Sequence, residues 1–155
     1  MLQILADTIE DLHPITAHFP IALLVMSAGL SLVIRVKPTA NLQYTSWLLL
    51  WVGTLGAFVA TITGIISHFP YEATALHEVI ETHQMWSFAV TAFFIGMTIW
   101  RWRTRQRGAD AETTLLYLIL IVIGTLGVIL SGMTGGDLVY DYGVNVRAVN
   151  PLLGQ

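Results

Sequence analysis

Four stretches of this chain, from about His18 to Ile34, Ser46 to Ile66, His83 to Trp100 and Thr113 to Met133, contain no Asp, Glu, Lys or Arg. Each is close to the roughly 20 apolar residues that a helix needs to cross a hydrocarbon core. A soluble helix can be apolar all round when it is buried, but four in succession would leave none to face water. The expected fold is therefore an all-α membrane protein, a four-transmembrane-helix bundle forming one domain over residues 1–155. Composition agrees, because only 11% of residues are charged while 55% are hydrophobic, against about 25% charged in soluble domains.

The cations orient the bundle. Arg35 and Lys37 lie between the first two stretches, and Arg101, Arg103, Arg105 and Arg107 follow the third. The positive-inside rule makes both connections cytoplasmic. Asp7, Glu10, Asp11, Glu72, Glu78, Glu81, Asp137 and Asp141 then fall on the other side, with Arg147 the single cation there. Both termini are expected outside, which in the inner membrane of a bacterium is the periplasm. No basic region precedes Arg35, so a removable signal peptide is not expected. The outer connection from Ser67 to Thr82 reads as a short amphipathic helix beginning near Tyr71. Gly135-Gly136-Asp137 reads as the end of the fourth helix. Beyond it, Leu138-Val139-Tyr140 and Val144-Asn145-Val146 flank Asp141-Tyr142-Gly143 as an extended flap or hairpin.

Several chemistries are excluded early. There is no cysteine, which removes disulfides, thiolate zinc, cysteine-ligated iron–sulfur clusters, blue copper and covalently attached haem. A net charge of -3 with no basic face carries no nucleic-acid footprint. No serine, histidine and acid stand in a hydrolase motif. The spans hold no acid or base of the kind that marks the ion path of a pump.

Topology brings His13, His18, His68, His77 and His83, from three separate stretches, to the outer face. Singly, each reads as a snorkelling residue at the headgroup level. Together they suggest a metal centre. A b-type haem is held by histidines from facing helices, among apolar and aromatic walls and near a cation for its propionates. His18 and His83 are the expected axial ligands. His13, His68 and His77 could serve a second haem, and Arg147 could pair with a propionate. Zinc held with Glu78 or Glu81, and copper held with Met85 or Met133, are weaker readings of the same histidines. Small residues at Gly53, Gly56, Ala57, Ala60 and Gly64, and at Gly124, Gly127, Ser131 and Gly135, share helix faces. They allow either close helix packing or a slot for a flat macrocycle.

The run His13-Pro14-Ile15-Thr16-Ala17-His18-Phe19-Pro20-Ile21-Ala22-Leu23, with Gly64, His83, Arg101 and the closing Gly135 to Val146, resembles a bacterial membrane family catalogued as domain of unknown function 2231. The resemblance covers nearly the whole chain and matches His18 and His83 by motif, with His13 next. It implies a four-helix membrane domain found beside Rieske-type and cytochrome-type redox modules. The expected function is a membrane-bound haem b protein transferring electrons at the periplasmic face. Its expected partners are the lipid bilayer and a redox protein or larger complex, with quinone left open. The alternative is a cofactor-free structural or accessory subunit of a respiratory or photosynthetic complex.

Overall fold

A computed structural model describes the backbone of residues 2–146 and 149 and the side chains of residues 12–146 and 149. Four helices follow one another: α1 (Leu2–Val36), α2 (Ala40–His68), α3 (His77–Gln106) and α4 (Leu115–Tyr140). Short 3-10 turns occupy Phe69–Tyr71 and Ala111–Thr113. Thr39 and Thr114 cap α2 and α4 by accepting the backbone N–H of Leu42 and Tyr117, which satisfies amides that the first turn leaves free.

Buried positions recur every three or four residues, as in Ser46, Leu50, Gly53, Ala57, Ala60, Gly64 and Ser67 of α2. This 3.5-residue seam is the packing pattern of bundles and coiled coils. Apart from Leu50, its residues are small or polar. Large apolar side chains such as Leu55, Phe58, Leu126 and Ile129 stay about half exposed on the outside. In water such a surface would aggregate, whereas in lipid it is the ordinary outer face and small inner residues allow close helix approach. Paired hydroxyls tie the seams together: Thr54 with Thr98 at 2.8 Å, Thr61 with Thr91 at 2.8 Å, and Ser87 with Ser131 at 3.0 Å.

Among the described residues three helical segments are long and apolar enough to cross a membrane: Leu12–Val36, Ala40–Tyr71 and Leu115–Tyr140. α3 falls short because its inner face carries His83, Gln84, Ser87, Thr91 and Thr98. It nevertheless runs the same length of the bundle as α2, since His83 meets His68 at one end and Arg101 meets Ser46 at the other.

Four expectations need correction. α1 begins at Leu2 rather than near His18, so Pro14 and Pro20 lie inside it. Proline deletes one helical hydrogen bond, and Pro20 is accommodated by Gly56, where a Cβ would stand 3.3 Å from its ring. The outer connection forms no separate amphipathic helix; it is one 3-10 turn, and His77 already belongs to α3. No strand or hairpin follows α4 among the described residues, because the helix continues through Gly135-Gly136-Asp137 to Tyr140. The reason lies in the glycine: it costs a helix only about 1 kcal/mol, and Gly135 is held there by a ring packed against it.

The fourth correction concerns Arg101, which is no loop anchor. It lies within α3 and is fully buried. Its guanidinium binds Asp110 at 3.0 Å, donates to Ser46 at 3.0 Å and pairs with the buried Glu112. The Glu112 carboxylate also accepts from Ser31 of α1 at 2.8 Å and from Ser46 of α2. One charge cluster thus joins α1, α2, α3 and the 3-10 turn before α4 at this end. Burial pushes the Glu112 carboxyl above the ordinary carboxylate range, against the pull of Arg101.

Candidate functional site

At the opposite end the seams of α1, α2 and α3 each present one imidazole. His13 lies in register with Pro20, Leu24, Ser27 and Ser31, the inward face of α1. His68 is the last residue of α2, and His83 lies two turns into α3. The ring centroids form a triangle with sides of 5.4 Å (His13–His68), 5.7 Å (His68–His83) and 6.2 Å (His13–His83). His68 is 3% exposed and His83 7%.

Two glycines make room for these rings. A Cβ at Gly64 would stand 2.9 Å from Cε1 of His13, and a Cβ at Gly135 would stand 2.9 Å from Cε1 of His83. The volume that small residues leave is therefore taken by imidazoles at these two positions. At Gly53 and Gly124 it is taken by Leu24 and by Phe93 and Phe94. This is close packing.

Hydrogen bonds fix which ring nitrogen remains for chemistry. His13 Nδ1 lies 3.0 Å from the Ala60 carbonyl, which can only accept, so Nδ1 carries the proton and Nε2 keeps its lone pair. The Thr134 hydroxyl donates to the Ser131 carbonyl at 3.0 Å, so its oxygen accepts from His83 Nδ1 at 3.1 Å. His83 Nε2 also lies 3.5 Å from the Ser87 hydroxyl, which donates to the His83 carbonyl, so each ring nitrogen of His83 has a hydroxyl partner. The Gln84 amide lies 3.5 Å from His68 Nδ1. Metal-bound histidines are held in this way, with the distal ring nitrogen fixed by a carbonyl or hydroxyl. Bonds of about 2.0–2.1 Å to a tetrahedral ion place ring centroids about 5 to 5.5 Å apart. The triangle is slightly wider, and among the described residues no three His, Asp or Glu side chains have their donor atoms already gathered. The rings pack edge to face at 67° to 74°.

A cavity of about 460 Å³ opens beside the triangle. Its histidine end also carries Gln84 and Ser87, and its far end is lined by Ile21, Leu24, Ala57 and Val128.

The remaining expected residues are placed differently. His18 lies on the other flank of α1, exposed, with Nδ1 donating to the carbonyl of Pro14 at 2.6 Å, and it borders only the cavity mouth. His77 is exposed, 3.8 Å from the Glu81 carboxylate, which it pairs with when protonated. Arg147 lies outside the described residues. Sequence reasoning missed the supporting residues Thr134, Gln84 and Ser87. Their signal was present, since Gln84 and Ser87 flank His83 and Thr134 precedes Gly135. It also missed Asn145, whose side chain donates to Ser67 at 2.8 Å and accepts from Tyr71 at 3.1 Å, tying the segment after α4 to the histidine end of α2.

A family model described as "Predicted membrane protein (DUF2231)" matches residues 10–148, which include every residue of the triangle and its hydrogen-bond partners. Neither the curated proteins nor the solved structures gave a match.

Proposed function

Because the chain belongs to this family of predicted membrane proteins, whose description carries no activity, we propose its function from the site: one transition-metal ion held by His13, His68 and His83 at the outer end of a four-span bundle. In this reading α3 crosses with the other three helices, the arginine end is cytoplasmic by the positive-inside rule, and both termini face the periplasm of a bacterial inner membrane. Imidazole ligands suit copper, iron, zinc or nickel. The first two make electron transfer at the periplasmic face the role we assign, with a periplasmic or membrane redox protein as partner.

The observation that supports this most is the triangle with two of its three Nδ1 atoms committed elsewhere. A b-type haem is the second reading, favoured by the 6.2 Å between His13 and His83, close to the roughly 6 Å that separates two axial imidazoles across an iron. Its difficulty is His68, only 5.4 and 5.7 Å from those rings, where the macrocycle would lie. Haem binding would require the His68 ring to leave.

The experiment is metal analysis of purified, detergent-solubilised protein loaded in turn with copper, iron, zinc and haem. The ion reading expects one metal per chain, lost in His68→Ala and kept in His18→Ala. A Soret band with haem b by pyridine assay, lost when His13 or His83 is replaced and kept in His68→Ala, would establish the haem reading instead. A metal-free and colourless preparation that co-purifies with a larger complex would favour the accessory-subunit reading.

A further inference from the structure

We infer that the cavity beside the histidines binds a lipid-soluble molecule with a polar ring head, of the quinone or quinol class, admitted from the bilayer between α1 and α4. This deepens the reading of the same site but does not require the metal. The cavity's volume of about 460 Å³ lies in the range of about 300–1,000 Å³ typical of small-molecule sites. Its polarity is divided. His68 and His83, both more than nine-tenths buried, stand with Gln84 and Ser87 at one end. Ile21, Leu24, Ala57 and Val128 close the other, where the lining hydroxyls of Thr61 and Thr91 are bonded to each other, and beneath them Leu50, Phe94 and Ile121 are fully buried.

A ring carrying oxygen on an apolar tail matches that division. Its carbonyl oxygens accept from an amide or imidazole N–H, and in the reduced form its hydroxyls donate to an imidazole nitrogen. Gln84 and the imidazoles supply both kinds of partner. Buried polar groups facing a solvent-poor cavity gain most from a ligand that pairs with them.

The route follows from the glycines. Gly64 and Gly135 are filled by imidazoles, but a Cβ at Gly132 would meet nothing nearer than Ile21 Cδ1 at 3.8 Å, and one at Gly136 nothing nearer than Tyr140 Cδ2 at 3.9 Å. Packing does not require glycine at these two places. Both border the cavity on α4, Gly132 next to Ile21 of α1, and the exposed His18 and Tyr140 line the same cavity. α1 packs far less extensively on α4 than on α2. At the outer end, by contrast, the chain is tied down by the Tyr71, Asn145 and Ser67 hydrogen bonds. The opening between α1 and α4 therefore faces lipid, where such molecules partition.

The test is calorimetric titration of the full-length, detergent-solubilised protein with decylubiquinone. Saturable binding is expected in the wild type. Gly132→Leu, which plugs the opening without a clash at its Cβ, should weaken it at least tenfold. Gly29→Leu, on an exposed position of α1 with open space around it, should leave it unchanged. No saturable binding by the wild type, equal binding by Gly132→Leu, or equal affinity for dodecane would overturn the inference. Metal content measured on the same samples separates the two proposals, because metal lost with quinone binding kept removes only the metal, and the reverse removes only the quinone.

Discussion

Gly64 and Gly135 give the account its sharpest tests at the scale of single residues. Glycine inside a helix ordinarily costs about 0.5–1 kcal/mol relative to alanine, so Gly→Ala in α2 or α4 should stabilise the fold wherever space allows. At these two positions the added methyl would stand 2.9 Å from an imidazole carbon. The His13 ring is also held by Ala60 and the His83 ring by Thr134. Gly64→Ala and Gly135→Ala are therefore expected to weaken metal binding at least tenfold in a competition titration, while Gly132→Ala keeps full affinity and melts slightly higher. Unchanged affinity in both would mean that the rings are free to move and their placement carries no function. The choice between His13 and His18 belongs to this scale too. Both stand in the opening motif, and the sequence favoured His18 because the family resemblance matches that position first, with His13 next. With α1 starting at Leu2, His13 falls in register with Leu24, Ser27 and Ser31, while His18 aligns with the exposed Ala22, Val25 and Gly29.

α1, α2 and α3 are joined by polar contacts at both ends of the bundle, and α2 packs along its length by a seam of mostly small residues. The uncharged stretches and their order were legible because lipid burial demands about 20 apolar residues in a row. The ends were not. Gly135-Gly136 looked like a stop, but a glycine that seats a ring is compatible with helix. Arg101 looked like one of four loop cations, yet it alone falls in the α3 seam with Phe94 and Met97, and Asp110 and Glu112 were the unread signal that it has buried partners. Its pairing makes a prediction about the element. Removing one partner of a buried ion pair costs about 3–5 kcal/mol because the other charge is stranded, whereas replacing both by apolar residues costs much less. Arg101→Met should lower stability by an amount of that order in thermal unfolding, and adding Glu112→Leu should recover part of it. Should the double variant prove as unstable as the sum of the singles, the cluster would be contributing net stability and not merely register.

At the scale of the whole molecule, the bundle carries two polar ends of different character joined by an apolar exterior: a histidine triangle at one and a charge cluster at the other. That all five histidines gather at one end was readable from topology. That only three share a site was not, because it depends on helix register near proline and on a turn between α2 and α3 shorter than expected. The absence of cysteine makes the orientation directly testable. A cysteine introduced at Ala75 should react with a membrane-impermeant maleimide in intact cells, and one at Gln106 should react only after permeabilisation. Equal labelling of both would mean that α3 does not cross and that the two ends share a compartment.

The central claim is that three imidazoles converge on one ion, and X-ray absorption of the metal-loaded protein reads that environment directly. The account predicts a first shell of nitrogen or oxygen at about 2.0–2.1 Å, with outer-shell scattering from three imidazole rings that falls to two in His68→Ala. A shell of four pyrrole nitrogens with two axial imidazoles, or the same spectrum in wild type and His68→Ala, would contradict it.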